Sequence, residues 1–391
     1  MQEKKTSVFS NGLLWFGAAV SIAEMLTGTL FAPLGLLRGV LAILIGHLIG
    51  CVPLYLAGLI GAKRELSAME TVKISFGQRG SLIFSASNVL QLVGWTAIMI
   101  AAGAAGANQL ASSGGAWIWC LAIGALVALW VVVGVKSLGW LNSVACGLLF
   151  VLTVALSAIV FRGHSQSAAA GGISFGAAVE LAAAMPLSWM PLISDYTRYA
   201  KKKKAATFTS AAVYFITSSW MFVIGLGAVL KTGEADISKV MLAAGLGIAG
   251  VLIIILATVT TTFLDAFSAG VSASSISKKP GEKSMALIVC AVGTGLAAFT
   301  DILKLESFLY LIGSVFAPMI AILLTDVFIL KKDHSKSLVN IRDLILWAVG
   351  FALYRVFMTI DTPVGNTLPV MVIVSLLCVA IDKIGGHRHV R

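Results

Sequence analysis

A few side chains in this sequence could do chemistry at a depth where chemistry is expensive. Glu24 lies in "SIAEMLTGTLFAPLG", residues 21–35, in an otherwise apolar run. A carboxylate at the centre of a bilayer costs about 2.5–3.5 kcal/mol on insertion scales, so it faces a cavity or a partner. It could accept hydrogen bonds from a polar ligand, carry a proton, or pair with a distant base or hydroxyl. Asp265 stands in "TVTTTFLDAFSAGVS", residues 258–272, where helical spacing puts Thr258, Thr261, Thr262, Asp265 and Ser268 near one face. Hydroxyls and main-chain carbonyls are hard oxygen ligands that suit a small hard cation. Threonines in membrane helices also bond their own preceding turn, so it is Asp265, four residues beyond Thr261, that strengthens the signal. Trp95 follows Gln91 by one helical turn, and Ser188 and Trp189 sit between Pro186 and Pro191. Two deep indoles could sandwich a flat ring, each offset stack being worth about 0.5–1.5 kcal/mol.

The elements that must position these residues are membrane spans. The 391-residue chain is 59% hydrophobic and 12% charged, with a mean hydropathy of +0.98. Such a surface could not be covered by polar groups in water. Apolar runs of spanning length recur at 11–37, 39–62, 81–108, 115–135, 138–161, 175–198, 206–230, 240–275, 284–300, 305–330, 339–360 and 364–382. The fold class expected is therefore an all-α integral membrane protein of about 12 transmembrane helices. The first and sixth runs are both interrupted, one by Gly28, Pro33 and Gly35, the other by Pro186 and Pro191. A proline inside a helix costs about 3 kcal/mol. Paired interrupted helices five spans apart, in halves that enter the membrane in opposite senses, point to a secondary transporter's binding site. Unwound backbone is tolerable at that depth only where it faces a ligand, an ion or water.

The net charge of +11 follows the membrane rather than a nucleic acid. With the N-terminus inside and each run crossing once, all of the 28 Lys and Arg fall on the inner side except Arg38, Arg162, Lys231, Lys239, Lys304 and Arg355. This is the positive-inside pattern, and it predicts a multi-pass protein of the cell membrane with both termini cytoplasmic and Lys201–Lys204 as an anchor. Cys51, Cys120, Cys146, Cys290 and Cys378 lie in apolar runs without metal-type spacing and read as buried hydrophobes. The N-terminal residues lack a small-residue cleavage site, and no G-x-x-x-x-G-K-[ST] loop occurs. Trp15, Trp117, Trp119, Trp220 and Trp347, nearer the ends of the runs, read as interfacial belt residues.

Four stretches in order resemble the nucleobase–cation symporters of type 1: "GAKRELSAMETVKISFGQRGS" (61–81), "QLVGW" (91–95), "SDYTRYAK" (194–201) and "SVFAPMIAILLTD" (314–326). The resemblance implies a LeuT-type fold, a 5+5 inverted repeat plus two peripheral helices. The first repeat would be 1–162, the second 163–330, and the peripheral pair with its tail 331–391. It also implies uptake of a nucleobase-like ring driven by a cation gradient. Trp95 and Trp189 would stack on the ring, with Gln91, Ser188, Glu24 and Asp265 as polar contacts. A sodium ion would lie between spans one and eight, on main-chain carbonyls near Ser21 to Glu24 and of Thr258, with the hydroxyls of Thr261 and Thr262. Glu24 and Asp265 depart from the family's usual residues. Two acids suit a donor-rich aminopyrimidine, and the chain most resembles the CytX-type branch of hydroxymethylpyrimidine carriers. The expectation is a secondary importer of that thiamin precursor, with cytosine or another nucleobase as the alternative cargo and H+ as the alternative coupling ion. No ATPase subunit, nucleic acid or enzymatic activity is expected. An ion channel would need a repeated filter loop or a ring of like charges, and a metal-dependent membrane enzyme a histidine cluster; neither pattern occurs.

Overall fold

The computed structural model describes residues 5–111, 114–133, 139–162, 172–233, 239, 247–300 and 305–386, and its regular elements are all helices. Lys4, Lys136, Lys304, Arg388, Arg391, His164, His387, His389 and the opening of the eighth run at 240–246 lie outside the described residues. The first run resolves into α1 (Val8–Ala19) and α2 (Ile22–Thr29), bent by 51°, followed by a tight turn at Ala32–Leu34. Then come α3 (Gly35–Arg64), α4 (Ala68–Gly80), α5 (Leu82–Leu110), α6 (Ala116–Val133) and α7 (Gly139–Val160). The sixth run is α8 (Phe175–Trp189) and α9 (Ile193–Thr197). The remaining elements are α10 (Lys203–Thr232), α11 (Gly247–Ile276), α12 (Glu282–Phe299), α13 (Leu305–Leu324), α14 (Ile341–Phe357) and α15 (Thr367–Gly386).

Among the described residues, nine helices are long and apolar enough to cross a bilayer alone, or ten with the bent pair α1–α2. The other two expected spans are the broken α8–α9 and the shorter α14. The protein is thus a multi-pass membrane protein. Two details correct the sequence reading. Pro186 does not open its helix, because α8 runs through it; the gap is Met190–Leu192, around Pro191. In the first run the break falls at Val20–Ser21, upstream of Glu24, with Gly28 inside α2. Ser21 makes it: its hydroxyl accepts the Glu24 N–H and caps α2, which offers the backbone an alternative to continuing α1. Helix α4, between the second and third spans, falls outside the long apolar runs because its charged residues interrupt the pattern.

Small residues set the spacing of the core. Gly28 on α2 and Gly225 on α10 face each other's helices so closely that a methyl group on either would overlap a backbone carbonyl, of Phe222 or of Met25. Close backbone approach of this kind is how helices associate where lipid removes the hydrophobic drive. α5 lies along α11, and α3 is sandwiched between α8 and α10.

Basic residues assigned to the inner side meet at one end of the bundle. Lys5 and Lys203 both reach Glu65, at 2.9 and 3.0 Å, and Arg64 pairs with Asp333 at 3.1 Å. The two lysine hydrogen bonds push the Glu65 carboxyl down to about 2. At the opposite ends of α3 and α10, Arg38 lies over the Phe175 ring and Lys231 donates to the carbonyls of Ile159 and Arg162.

The last two helices are tied to the sixth span by one side chain. Glu180, fully buried on α8, accepts from the backbone N–H groups of Asn366 and Thr367 at 2.6 and 2.7 Å, from the Thr367 hydroxyl, and from the Tyr354 hydroxyl. Its carboxylate therefore caps the start of α15, where the helix dipole favours negative charge.

Candidate functional site

Where the two breaks face each other, Ala18, Ser21, Ala23, Glu24, Trp95, Met99, Met185, Ser188, Trp189, Thr261 and Asp265 line one partly open cavity. α1 and α2 supply one wall, α8 another, α5 brings Trp95 and Met99, and α11 brings Thr261 and Asp265.

Both indoles line this space and are braced from behind. Trp189 is held edge-on by Trp15 (ring centroids 5.5 Å) and Tyr214 (6.1 Å), and Trp95 by Phe308 (5.4 Å). Trp15 is fully buried, which corrects its reading as a belt residue; it contacts Trp189, Tyr196 and Tyr214 at once. Trp220 and Trp347 are packing residues too, with indole N–H groups bonded to Ser157 and the Val315 carbonyl. Trp117 is exposed, as a belt residue should be.

The polar candidates divide. Asp265 is 3% exposed, lines the cavity, and receives no hydrogen bond among the described residues. Ser188 lines the cavity while its hydroxyl donates to the Met185 carbonyl. Gln91 is not among the lining residues: its amide donates to Asn88 and to the Ser188 carbonyl at 2.8 Å, so it holds the end of α8 in place. Glu24 lines the cavity, yet both carboxylate oxygens are already used, Oε1 accepting from Tyr214 at 2.7 Å and Oε2 from Ser218 at 2.6 Å. Ser218 in turn lies 2.5 Å from Nε2 of His47. The distant hydroxyl partner is the one of the three sequence readings of Glu24 that these contacts display. Tyr214 and Ser218 stand one turn apart on α10, and His47 is the buried histidine of α3. Their polarity inside apolar runs was the only signal of this cluster in the sequence.

The residues assigned to a cation are not all in one place. Thr261 lines the cavity and donates to the Gly17 carbonyl of α1 at 3.2 Å, joining spans one and eight. Thr258 lies against Gly103 of α5, and the buried hydroxyls of Thr258 and Thr262 have no partner among the described residues. Ser21 is occupied in capping α2: its hydroxyl takes the Glu24 amide and its carbonyl the Met25 amide. With the Glu24 carboxylate facing α10, Ser21 and Glu24 are drawn into other bonds and leave α11 as the source of free oxygen ligands. Elsewhere, Cys378 lies with Asp326 and Asp343 in a buried group that sequence spacing did not reveal. Arg342 bridges these acids at 3.2 and 2.6 Å and reaches Asp382 at 3.3 Å, which makes the group an ion-pair cluster between α14, α15 and the π-helical turn Thr325–Leu330 that follows α13.

Comparison with known proteins agrees with this architecture. The chain is 27% identical over 300 residues to the cytosine permease of Escherichia coli strain K12, covering 75% of this chain and 71% of the permease. Mhp1, a nucleobase-cation-symport-1 family transporter solved in a closed conformation with bromovinylhydantoin bound, superposes with a TM-score of 0.81 at 18% identity, covering 97% of this chain and 93% of Mhp1. A Na+-coupled sialic acid symporter in an outward-open state gives a TM-score of 0.69 at 15% identity, covering 96% and 88%. The fold is thus the LeuT-type arrangement of two inverted five-helix repeats with two peripheral helices. The model of the family described as permeases for cytosine/purines, uracil, thiamine and allantoin matches residues 1–380, and the chain belongs to that family of nucleobase–cation symporters.

Proposed function

We propose that this permease imports a pyrimidine by cation-coupled alternating access, with hydroxymethylpyrimidine as the cargo and cytosine or another nucleobase as the second reading. The observation that carries the proposal is Asp265: a buried carboxylate with open lone pairs, in a cavity lined by two braced indoles. An exocyclic amine and a hydroxymethyl group are donors that such an acceptor lacks in the protein itself. In this reading Trp95 and Trp189 flank the ring, Asp265 takes the amine, and Ser188 and the cavity side of Glu24 border it. Gln91 acts indirectly, by fixing the Ser188 carbonyl.

Na+ is the proposed driving ion, with H+ as the alternative. The support is the buried Thr262 hydroxyl, which has no partner among the described residues, beside Thr261 at the junction of α1 and α11. We take residues 1–162 and 163–330 as the two repeats that rock against each other, and 331–391 as the peripheral part, in a cell membrane with both termini cytoplasmic. Melting of the purified protein with a pyrimidine panel, with and without sodium, tests the reading. Hydroxymethylpyrimidine should raise the melting temperature most, and more in sodium than in potassium. Stabilisation by none of the pyrimidines would refute it, and an equal response in both salts would refute the sodium coupling.

A further inference from the structure

We propose that His47, Ser218 and Glu24 form a proton-binding site, and that the conformation described here holds one proton on it. The argument is a count of donors and acceptors. Nδ1 of His47 lies 2.9 Å from the Ile43 carbonyl, which can only accept, so Nδ1 carries a hydrogen. Nε2 lies 2.5 Å from the Ser218 hydroxyl, and that same hydroxyl lies 2.6 Å from Oε2 of Glu24. Ser218 has one hydrogen for two neighbours. If it donates to an ionised Glu24, Nε2 must donate to Ser218, and the ring is an imidazolium. If it donates to a neutral ring, Glu24 must donate to Ser218, and the carboxyl is protonated. Either arrangement contains one proton more than a carboxylate beside a neutral histidine. Removing it forces an acceptor against an acceptor, at Nε2 or at Nδ1.

No other described residue removes that conflict. Glu24 is 1% exposed, His47 and Ser218 are fully buried, and the imidazole is enclosed edge-on by Phe222 (centroids 4.8 Å) and Phe215 (6.5 Å). The titratable groups facing the site are Tyr214 on α10, which donates to Oε1, Cys51 on α3, and Asp265 across the cavity on α11. α1 and α5 contain no titratable side chain, and Glu180 of α8 is spent on α15 and Tyr354. The three residues come from α2, α3 and α10, so parting α2 or α3 from α10 breaks the chain of bonds and frees the proton. Because Glu24 also lines the cavity, proton occupancy and cargo occupancy are linked reciprocally.

The link to cargo rests on the transport reading, whereas the proton count does not, so the test uses purified full-length protein without cargo. Infrared difference spectra and 15N-histidine resonances are recorded near neutral pH. The expected result is one of two signatures: a protonated-carboxyl band that Glu24→Gln removes, or an imidazolium signal that His47→Gln removes. An ionised Glu24 together with a neutral His47 overturns the proposal. Should His47→Gln not fold, melting against pH decides. Wild type should lose stability as pH rises, while Glu24→Gln, whose amide gives Ser218 a hydrogen without a titration, should lose the slope. Parallel curves overturn it. Absence of pyrimidine binding, with either signature present, would refute the cargo and leave the proton site standing.

Discussion

Replacing Asp265 by asparagine changes one oxygen for an NH2 group and almost no volume. The carboxylate receives no hydrogen bond from the described protein, so the exchange breaks no internal bond and folding should be unaffected. What it removes is a charge-assisted acceptor for a ligand donor. Hydrogen bonds to charged groups contribute about 1.5–3 kcal/mol each. Lost from the bound state alone, that corresponds to roughly a 10- to 160-fold rise in Kd at 25 °C. Titration calorimetry with hydroxymethylpyrimidine and with cytosine, alongside melting of the unliganded proteins, measures both halves of the argument. The expected result is unchanged melting and weaker binding of the aminopyrimidines, with a smaller loss for a ring lacking the exocyclic amine. A Kd within about threefold of wild type for every ligand, in protein that melts normally, would refute the assignment of Asp265.

Three other outcomes follow from the geometry. Gly28→Ala puts a methyl group on the Phe222 carbonyl and should lower stability by about 1–3 kcal/mol, seen as earlier melting and poorer recovery from the membrane. Thr261→Ala removes an oxygen shared by α1, α11 and the cavity and should weaken apparent sodium affinity about fivefold, whereas Thr258→Ala, on the α5 side, should not; both are read from sodium-dependent melting. The Glu65 junction should persist through neutral and mildly acid pH. Its carboxyl titrates at about 2 rather than at the usual value near 4.3, so the contribution is complete above the ordinary range and fades only as pH falls toward 2. Hydrogen exchange at Thr6 and Lys201, whose backbone N–H groups donate to the carbonyls of Tyr199 and Thr6 at that junction, follows it.

The sequence made the spans, the two interruptions and the deep polar residues legible, because each is a local violation of what a lipid-facing helix tolerates. Trp95, Trp189, Ser188, Glu24 and Asp265 share one cavity for that reason. What it hid depends on distance along the chain. Glu24 finds Tyr214 and Ser218 some 190 residues away, and no periodicity in α2 could say whether a buried acid faces a ligand or another helix. Trp15 looked terminal because depth was judged from the nearest end of a run, whereas the bend at Val20–Ser21 brings it under Trp189. The breaks were placed by their prolines and glycines, but a serine cap opened the first, and α8 ran straight past Pro186. α4 has no apolar run of membrane length to mark it in the sequence.

The Glu180 cap has a mechanical meaning. Transporters of this architecture work by tilting one group of helices against another, and a half-helix beside the cavity belongs to whichever group it is bolted to. A buried carboxylate that accepts two amides and two hydroxyls cannot slide without leaving several donors bare in a dry interior. α15 should therefore travel with α8 as one lever, and this peripheral helix becomes a place where a spectroscopic label, on a helix that does not line the cavity, would register each turn of the cycle.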